Sequence, residues 1–138
     1  KTLVSYFRIA NPNIAVLSIN PHRGDGGLLG YEEKTKLEPV IKDLNKKGMK
    51  VSGPYPADGF FGSGAYKNYD AVAGAYHDQA LIPFKILSKG KGVNLTAGLP
   101  IIRTSPTHGT AFDIAGKNIA NTDSTISAIK LAAKLSGK

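Results

Sequence analysis

Two histidines in this sequence follow apolar runs, an arrangement typical of a metal site at the edge of a sheet. His77 follows residues 71–75 within Tyr76-His77-Asp78-Gln79, and His22 follows residues 14–19. An apolar run that ends abruptly in polar residues is typical of a buried strand in an open α/β sheet, whose C-terminal edge usually carries the ligands. For a single isolated histidine, a structural hydrogen bond at a strand end is the better interpretation. Two such imidazoles can instead share one divalent cation.

The composition is that of one small domain. The 138 residues, 41% of them hydrophobic, suffice for one domain with a real core but hardly for two. The sequence has no cysteine, which excludes disulfides and thiolate metal sites. No apolar run approaches the ~20 residues that span a bilayer, so we expect a cytoplasmic protein without membrane contact. The chain begins Lys1-Thr2-Leu3, with neither Met nor a signal-peptide core, which suggests a segment excised from a longer protein.

The net charge of +8 raises the question of nucleic-acid binding. The basic residues are spread along the chain, however, with no run of three and no interleaved aromatic residues. A positive field that attracts small anionic substrates is the more economical interpretation, and most of the lysines are expected to be solvated surface residues.

Strand and helix patterns alternate along the chain and predict an α/β fold, with a largely parallel sheet flanked by helices. The predicted strands are residues 14–19, 49–52, 71–75, 93–96 and a short edge at 101–103. The first predicted helical stretch is opened by Glu32 and Glu33, and a second segment over residues 39–47 begins at Pro39. A short helix is predicted over 79–87, and a terminal helix over 125–135 has Asp123 and Ser124 as caps.

The loops contain further candidate site residues. Residues 20–27 mix polar side chains with three glycines after a strand, and such a loop can cradle an anion on its amides. Residues 53–64 contain too many Gly and Pro residues for a helix or a central strand, and ordinary turn chemistry explains Asp58 better than a site does. Arg103 fits bidentate binding of a phosphate or carboxylate and a structural ion pair equally well.

Several short motifs occur together in one order and resemble a known family. They are Asn20-Pro21-His22 with the Gly-Asp-Gly-Gly after it, Tyr76-His77-Asp78-Gln79, Gly92-Val93-Asn94 and His108-Gly109-Thr110-Ala111. Together they resemble the C-terminal part of the 4-hydroxythreonine-4-phosphate dehydrogenase family of vitamin B6 biosynthesis, from about residue 13 onward. The resemblance implies an isocitrate/isopropylmalate dehydrogenase-like fold. Residues 1–138 would then be a single α/β fragment, the C-terminal portion of a longer two-domain dehydrogenase.

The resemblance also implies roles for individual residues. His22 and His77 would bind a divalent ion (Zn, Mg or Co) at a site shared across a homodimer, with one subunit supplying the His22-type ligand and the other the His77-type ligand. The third metal histidine of the family lies in an N-terminal part that this sequence lacks, and His108 does not obviously replace it. Lys85, Asn94 and Arg103 would contact the phosphorylated small-molecule substrate.

A second resemblance concerns the cofactor. Residues 108–116, continuing to Asn121, resemble the adenosine-binding loop of isopropylmalate and isocitrate dehydrogenases, which implies cofactor binding by His108, Gly109, Thr110, Asp113 and Asn121. A carboxylate such as Asp113 accepts hydrogen bonds from a ribose diol but repels a 2′-phosphate, so NAD is expected rather than NADP. The sequence departs from those relatives at Asn121-Thr122, where they often carry Pro.

The expected activity is NAD-dependent, metal-assisted oxidation, with decarboxylation, of 4-phosphohydroxy-L-threonine. A divalent ion lowers the pKa of the alcohol and stabilises the carbonyl oxygen that forms. Lys85 and Arg103 would hold the phosphate, and Asp78 and Lys85 are the candidates for proton transfer. Two alternatives stay open: a related phosphothreonate or phosphoerythronate dehydrogenase, and a foldable but inert fragment that lacks the N-terminal half of the site.

Overall fold

The computed structural model describes residues 1–137, which form two compact units, one over residues 3–83 and the other from Phe84 onward. The strands are β1 Asn13–Leu17, β2 Lys50–Tyr55, β3 Ala71–Ala73, β4 Val93–Leu95 and β5 Thr104–Pro106. The helices are α1 Thr2–Ser5, α2 Glu38–Lys46, α3 Ala57–Gly62, α4 His77–Ser88 and α5 Asp123–Leu135. None of the helices within residues 1–137 has both the length and the apolar content that crossing a bilayer requires.

A parallel three-stranded sheet forms the centre of the first unit, in the order β2-β1-β3. This confirms the predicted parallel sheet. In the central strand β1, Ala15 and Leu17 point to one face and are completely or almost completely buried. They pack against Phe60 of α3, whose ring stacks on that of Tyr55 with a centroid distance of 5.2 Å.

The prediction that residues 53–64 exclude a helix was wrong, whereas the exclusion of a central strand holds, because β2 lies at the edge of the sheet. Strand β2 continues to Tyr55, and α3 begins two residues later, at Ala57. Burial of Phe60 in the core outweighs the modest helix-breaking cost of the glycines in α3. Pro54 fits in β2 because this strand lies at the edge of the sheet and its register with β1 shifts at this point.

The helical stretch before β2 has two parts, and the second begins next to Pro39, as predicted. A π-helical turn over Glu33–Leu37 leads directly into α2, and residues 32, 37 and 38 have right-handed helical backbone angles. Pro39 falls in the first turn of α2, where its missing N–H costs little. The side chain of Asn45 then ties α2 to β2 by donating to Val51 O at 2.7 Å and accepting from Val51 N at 3.1 Å.

The second unit combines an antiparallel strand pair, β4 and β5, with α5 packed against it. The predicted edge strand at 101–103 was placed too early, because the residues that pair with β4 are those of β5. Ser124 was predicted as a helix cap, which was wrong. It is buried inside the first turn of α5, donating to Gly92 O at 2.6 Å and accepting from Thr107 N at 2.9 Å.

Candidate functional site

The segment that follows β1 presents His22 on a loop held by its own side chains. Ser18 Oγ donates to Asn20 O at 2.7 Å, and Asn20 Oδ1 accepts from the backbone N–H of His22 at 2.8 Å. The side-chain amide of Asn20 also donates, through Nδ2, to Leu29 O at 2.8 Å, which closes the loop. The imidazole of His22 is exposed. The backbone of this loop is therefore fixed while the ring faces solvent.

A buried glutamate supports the same loop and was missed as a site residue at the sequence level. Glu33 is only 2% exposed, and its Oε1 accepts from Asn20 N at 2.6 Å. A glutamate near the start of a helix is ordinarily explained by its charge, which is favourable at that end of the helix dipole. The spacing in the sequence could have revealed its burial. Glu33 lies four and eight residues before Leu37 and Ile41, so it occupies the apolar side of the helix.

His77 is the first residue of α4, at the end of the loop that follows β3. Its Nδ1 lies 2.8 Å from Oδ1 of Asp78, and both side chains are largely exposed. A carboxylate that accepts from Nδ1–H leaves the lone pair of Nε2 free, which is the usual arrangement of a metal-binding histidine and its supporting carboxylate.

The two histidine segments lie at the same edge of the first unit's sheet. His22 and His77 follow β1 and β3, which are adjacent and parallel, so both chain segments leave the sheet at its carboxyl edge. Gln79 connects them, since its Nε2 donates to Ser18 O at 2.7 Å. Within residues 1–137, no cluster of three or more His, Asp or Glu side chains is positioned to hold a metal ion.

Two of the predicted phosphate ligands share one face of the β4–β5 pair. Asn94 pairs with Ser105, and Thr96 N donates to Arg103 O at 3.0 Å, so Asn94 and Arg103 are diagonal neighbours. Both side chains are exposed. Arg103 Nη1 donates to Thr96 Oγ1 at 2.8 Å, and no carboxylate among residues 1–137 is within ion-pair distance of it. The guanidinium therefore keeps donors available for an anion.

The predicted cofactor loop surrounds an open cavity of about 790 Å³ in the second unit. Four of the five predicted cofactor residues line it: His108, Gly109, Thr110 and Asn121. Asp113 lies on the neighbouring turn Phe112–Ile114 with its carboxylate exposed. A smaller cleft of about 330 Å³ places Lys85 beside His108 and Asn121. The structure thus brings Lys85 to the same surface as the cofactor loop.

Two of these residues also have structural contacts. Asn121 Oδ1 accepts from Asp123 N at 2.8 Å and so supports the start of α5. His108 Nε2 lies 3.4 Å from Thr125 Oγ1, also on α5. The loop is therefore anchored to a helix of its own unit, which favours a preformed shape.

A chain of hydroxyl groups lies beside the sheet, on β2 and just before β3. Ser52 Oγ donates to the hydroxyl of Tyr69 at 3.2 Å, and the hydroxyls of Tyr55 and Tyr69 are 2.9 Å apart. Hydrogen bonds from Ser52 and Tyr55 lower the pKa of Tyr69, although burial opposes them. For Tyr55 the Ser52 hydroxyl again acts to lower the pKa, but the hydrogen bond to Tyr69, burial and the Tyr69 charge together raise it.

Comparison with known proteins identifies the family. The model of the family described as "Pyridoxal phosphate biosynthetic protein PdxA" matches residues 1–132. The chain belongs to the PdxA family. It is 57% identical over 126 residues to the 4-hydroxythreonine-4-phosphate dehydrogenase of Bacteroides thetaiotaomicron, covering 91% of this chain and 35% of that protein. The enzyme of the same name from Prosthecochloris aestuarii is 53% identical over 132 residues, covering 96% of this chain and 39% of that protein.

Solved structures agree on the fold. A putative 4-hydroxythreonine-4-phosphate dehydrogenase from Salmonella typhimurium matches with a TM-score of 0.79 and 48% identity, over 97% of this chain and 41% of that one. A terephthalate 1,2-cis-dihydrodiol dehydrogenase from Burkholderia xenovorans matches with a TM-score of 0.71 and 34% identity, over 96% of this chain and 42% of that one. The chain thus has a PdxA-type α/β fold and spans about two fifths of the length of its relatives.

Proposed function

We propose that this chain supplies the metal, substrate and cofactor residues of a PdxA-type dehydrogenase that oxidises 4-phosphohydroxy-L-threonine with NAD and decarboxylates the product. The observation that carries the proposal is that the His22 and His77 segments follow adjacent parallel strands and leave the sheet at the same edge, so that each could supply its histidine to a shared site. Relatives named 4-hydroxythreonine-4-phosphate dehydrogenase, at 53–57% identity, support the substrate.

The side chains at the metal position fit a divalent cation. His77 is exposed and held by Asp78 through Nδ1, which leaves Nε2 as the ligand atom, and His22 is exposed on a fixed loop. A divalent ion bound by these histidines would polarise the substrate alcohol as a Lewis acid. The chain's own contribution is to hold both imidazoles in position before the substrate binds.

Arg103 and Lys85 would bind the substrate phosphate at a distance from the reacting carbon. Arg103 has unpaired donors beside Asn94, and Lys85 extends from α4. Remote binding of this kind fixes the orientation of the alcohol relative to the nicotinamide and so contributes to the rate. Asp78 and Lys85 remain the candidates for proton transfer, since both are exposed and titratable.

The cavity bordered by His108, Thr110 and Asn121 would hold the adenosine of NAD. The Asp113 carboxylate lies one turn away and would favour a free ribose diol over a 2′-phosphate. A dehydrogenase of this family requires a hydride acceptor, and this is the described cavity whose lining matches the predicted loop. NAD is thus proposed as the cofactor.

The expected homodimer and cytoplasmic location belong to the same proposal. Helix α4 carries His77 at its start and has no buried residues, so its apolar side chains need another surface. A second copy seated there would bring His77 towards the partner's half of a shared site.

Zinc titration of the 138-residue chain tests the proposal. We expect stoichiometric binding that is lost in His22→Ala and in His77→Ala, whereas His108→Ala, with its imidazole in the other unit, binds zinc like the wild type. Absence of zinc binding by the wild type would instead support the inert-fragment alternative. NAD reduction assays with 4-phosphohydroxy-L-threonine, phosphothreonate and phosphoerythronate on the full-length enzyme separate the candidate substrates.

A further inference from the structure

The His22 loop is built over a buried carboxylate to which the proposed chemistry assigns no role. Glu33 is 2% exposed and sits in the π-helical turn Glu33–Leu37, and one of its oxygens accepts from Asn20 N at 2.6 Å. A hydrogen bond from a backbone N–H to a carboxylate is about twice as strong as one between neutral groups. The Glu33 carboxylate therefore holds the loop at Asn20, whose side chain makes the hydrogen bonds to His22 N and Leu29 O.

Asn20 passes this constraint on to His22. Its backbone N–H is held by Glu33, and its Oδ1 accepts from His22 N at 2.8 Å. Its amide group also reaches Leu29 O, at the other end of the loop. Release of Asn20 would thus free the backbone of the histidine and the closure of the loop together.

The shape of the loop is matched to the carboxylate. Gly24 is buried with φ of +71°, and a Cβ added there would lie 2.6 Å from Gly30 O and 3.2 Å from Glu33 Oε2. The loop backbone thus closes directly over the second carboxylate oxygen. That oxygen, Oε2, is buried and has no hydrogen-bond partner among residues 1–137. A buried carboxylate with one unsatisfied oxygen is costly, so its presence needs a reason other than stability.

We propose that Glu33 is the positioning residue of the His22 loop: it holds Asn20, and through Asn20 it fixes the backbone that carries the His22 imidazole. The loop geometry stands on the contacts above, whereas the consequence for metal affinity rests on the proposed function. No hydrogen bond joins Glu33 to His22 among residues 1–137, so its effect on the histidine is transmitted by the intervening asparagine.

Amide hydrogen exchange of the 138-residue chain tests the positioning role without any metal. We expect the Asn20 amide to be strongly protected in the wild type, although it lies in a loop. In Glu33→Leu this protection falls about tenfold or more, in line with loss of a hydrogen bond to a charged group. Glu33→Gln keeps an acceptor oxygen and restores most of the protection. The exposed neighbour Glu32→Leu is the matched control and leaves Asn20 unchanged.

Zinc affinity of the same variants tests the consequence. If the wild type binds zinc, we expect Glu33→Leu to weaken binding at least tenfold and Glu33→Gln to bind within about threefold of the wild type. The losses of zinc affinity in Asn20→Ala and Glu33→Leu should not add in the double variant, because both substitutions act on the same series of contacts. Failure of the wild type to bind zinc would count against the proposed metal function alone. The positioning role would be overturned by an unprotected Asn20 amide in the wild type, or by unchanged protection in a folded Glu33→Leu variant. If Glu33→Leu does not fold, the wild-type measurement alone decides.

Discussion

Asp78 is the residue whose contact gives His77 a definite tautomer. Its Oδ1 lies 2.8 Å from His77 Nδ1, and a carboxylate at that position favours the N–H there and the lone pair on Nε2. We predict that Asp78→Asn lowers zinc affinity about 10- to 100-fold, because the amide can turn either a donor or an acceptor towards the ring. Calorimetric titration measures this. Asp43→Asn is the control, since that carboxylate pairs with Lys47 on the surface of α2, and equal losses in both variants would contradict the prediction.

The paired tyrosines predict an observable titration. The pKa of Tyr69 lies below the ordinary value of 10.0 and that of Tyr55 above it. Because the folded-state pKa of Tyr69 is lowered, ionisation of Tyr69 adds to the stability of the fold as pH rises towards 10.0. The pKa of Tyr55 is raised, so its contribution to stability is present below pH 10.0 and is lost as pH rises through that raised pKa. In Tyr69→Phe, we expect the low titration step to disappear and the Tyr55 pKa to fall, because two causes that raise it are removed.

Carbon-13 NMR of labelled tyrosines resolves the two steps. The exposed Tyr31 provides the comparison, and Tyr31→Phe leaves both steps in place. Two tyrosines that titrate together at the ordinary value would show that the hydroxyl pair does not form in solution.

At the residue level, the sequence singled out the candidate side chains but not the groups that contact their segments. His22 and His77 were identified because each follows an apolar run. Glu33 and Gln79 were not, because their importance lies in single contacts, to Asn20 N and to Ser18 O, between residues 13 and 61 positions apart. Such contacts depend on the packing of a helix on a strand end, which a pattern along the chain does not encode.

Strand β2 depends on a glycine for its approach to β1. Gly53 has φ of +129°, and a Cβ added there would lie 2.3 Å from Val16 O. We predict that Gly53→Ala lowers the free energy of unfolding by about 2–4 kcal/mol, from backbone strain and overpacking together. Gly59→Ala is the matched control in α3, where the added methyl meets nothing within 4 Å and φ is not positive, so it should stabilise by about 0.5–1 kcal/mol. Urea unfolding followed by tyrosine fluorescence measures both changes, and similar effects of the two variants would refute the argument.

The elements that the sequence predicted well are those with a clear period. Central strand β1, the α2 segment beginning near Pro39 and the terminal helix α5 all lie within a few residues of their predicted positions. Helix α3 was missed because its glycines resemble loop residues, while the burial of Phe60 that stabilises it is a tertiary effect. Strand β5 was misplaced because Ile101 and Ile102 are more apolar than the residues that pair with β4, and pairing register is not visible in composition.

On the scale of the whole molecule, the candidate residues divide between the two compact units. The proposed metal histidines and the carboxylates near their segments lie in residues 3–83, and the proposed phosphate and cofactor residues lie from Phe84 onward. This division follows the order of the motifs in the sequence. The chain spans about two fifths of the length of its relatives.

The proposed homodimer predicts where a single charge should separate the subunits. Helix α4 has no buried residues, and Ile82 and Ile86, one turn apart, are 56% and 68% exposed. Because α4 begins with His77, a partner that shares the metal site must approach this helix, and its apolar face would be covered on association. We predict that Ile86→Lys shifts the chain from dimer to monomer in sedimentation equilibrium and weakens zinc binding. Val40→Lys alters an apolar residue of similar exposure, 56% on α2, and should leave the mass of the dimer unchanged. A wild-type chain that stays monomeric at high concentration, or an Ile86→Lys variant that stays dimeric, would show that α4 is not the contact between subunits.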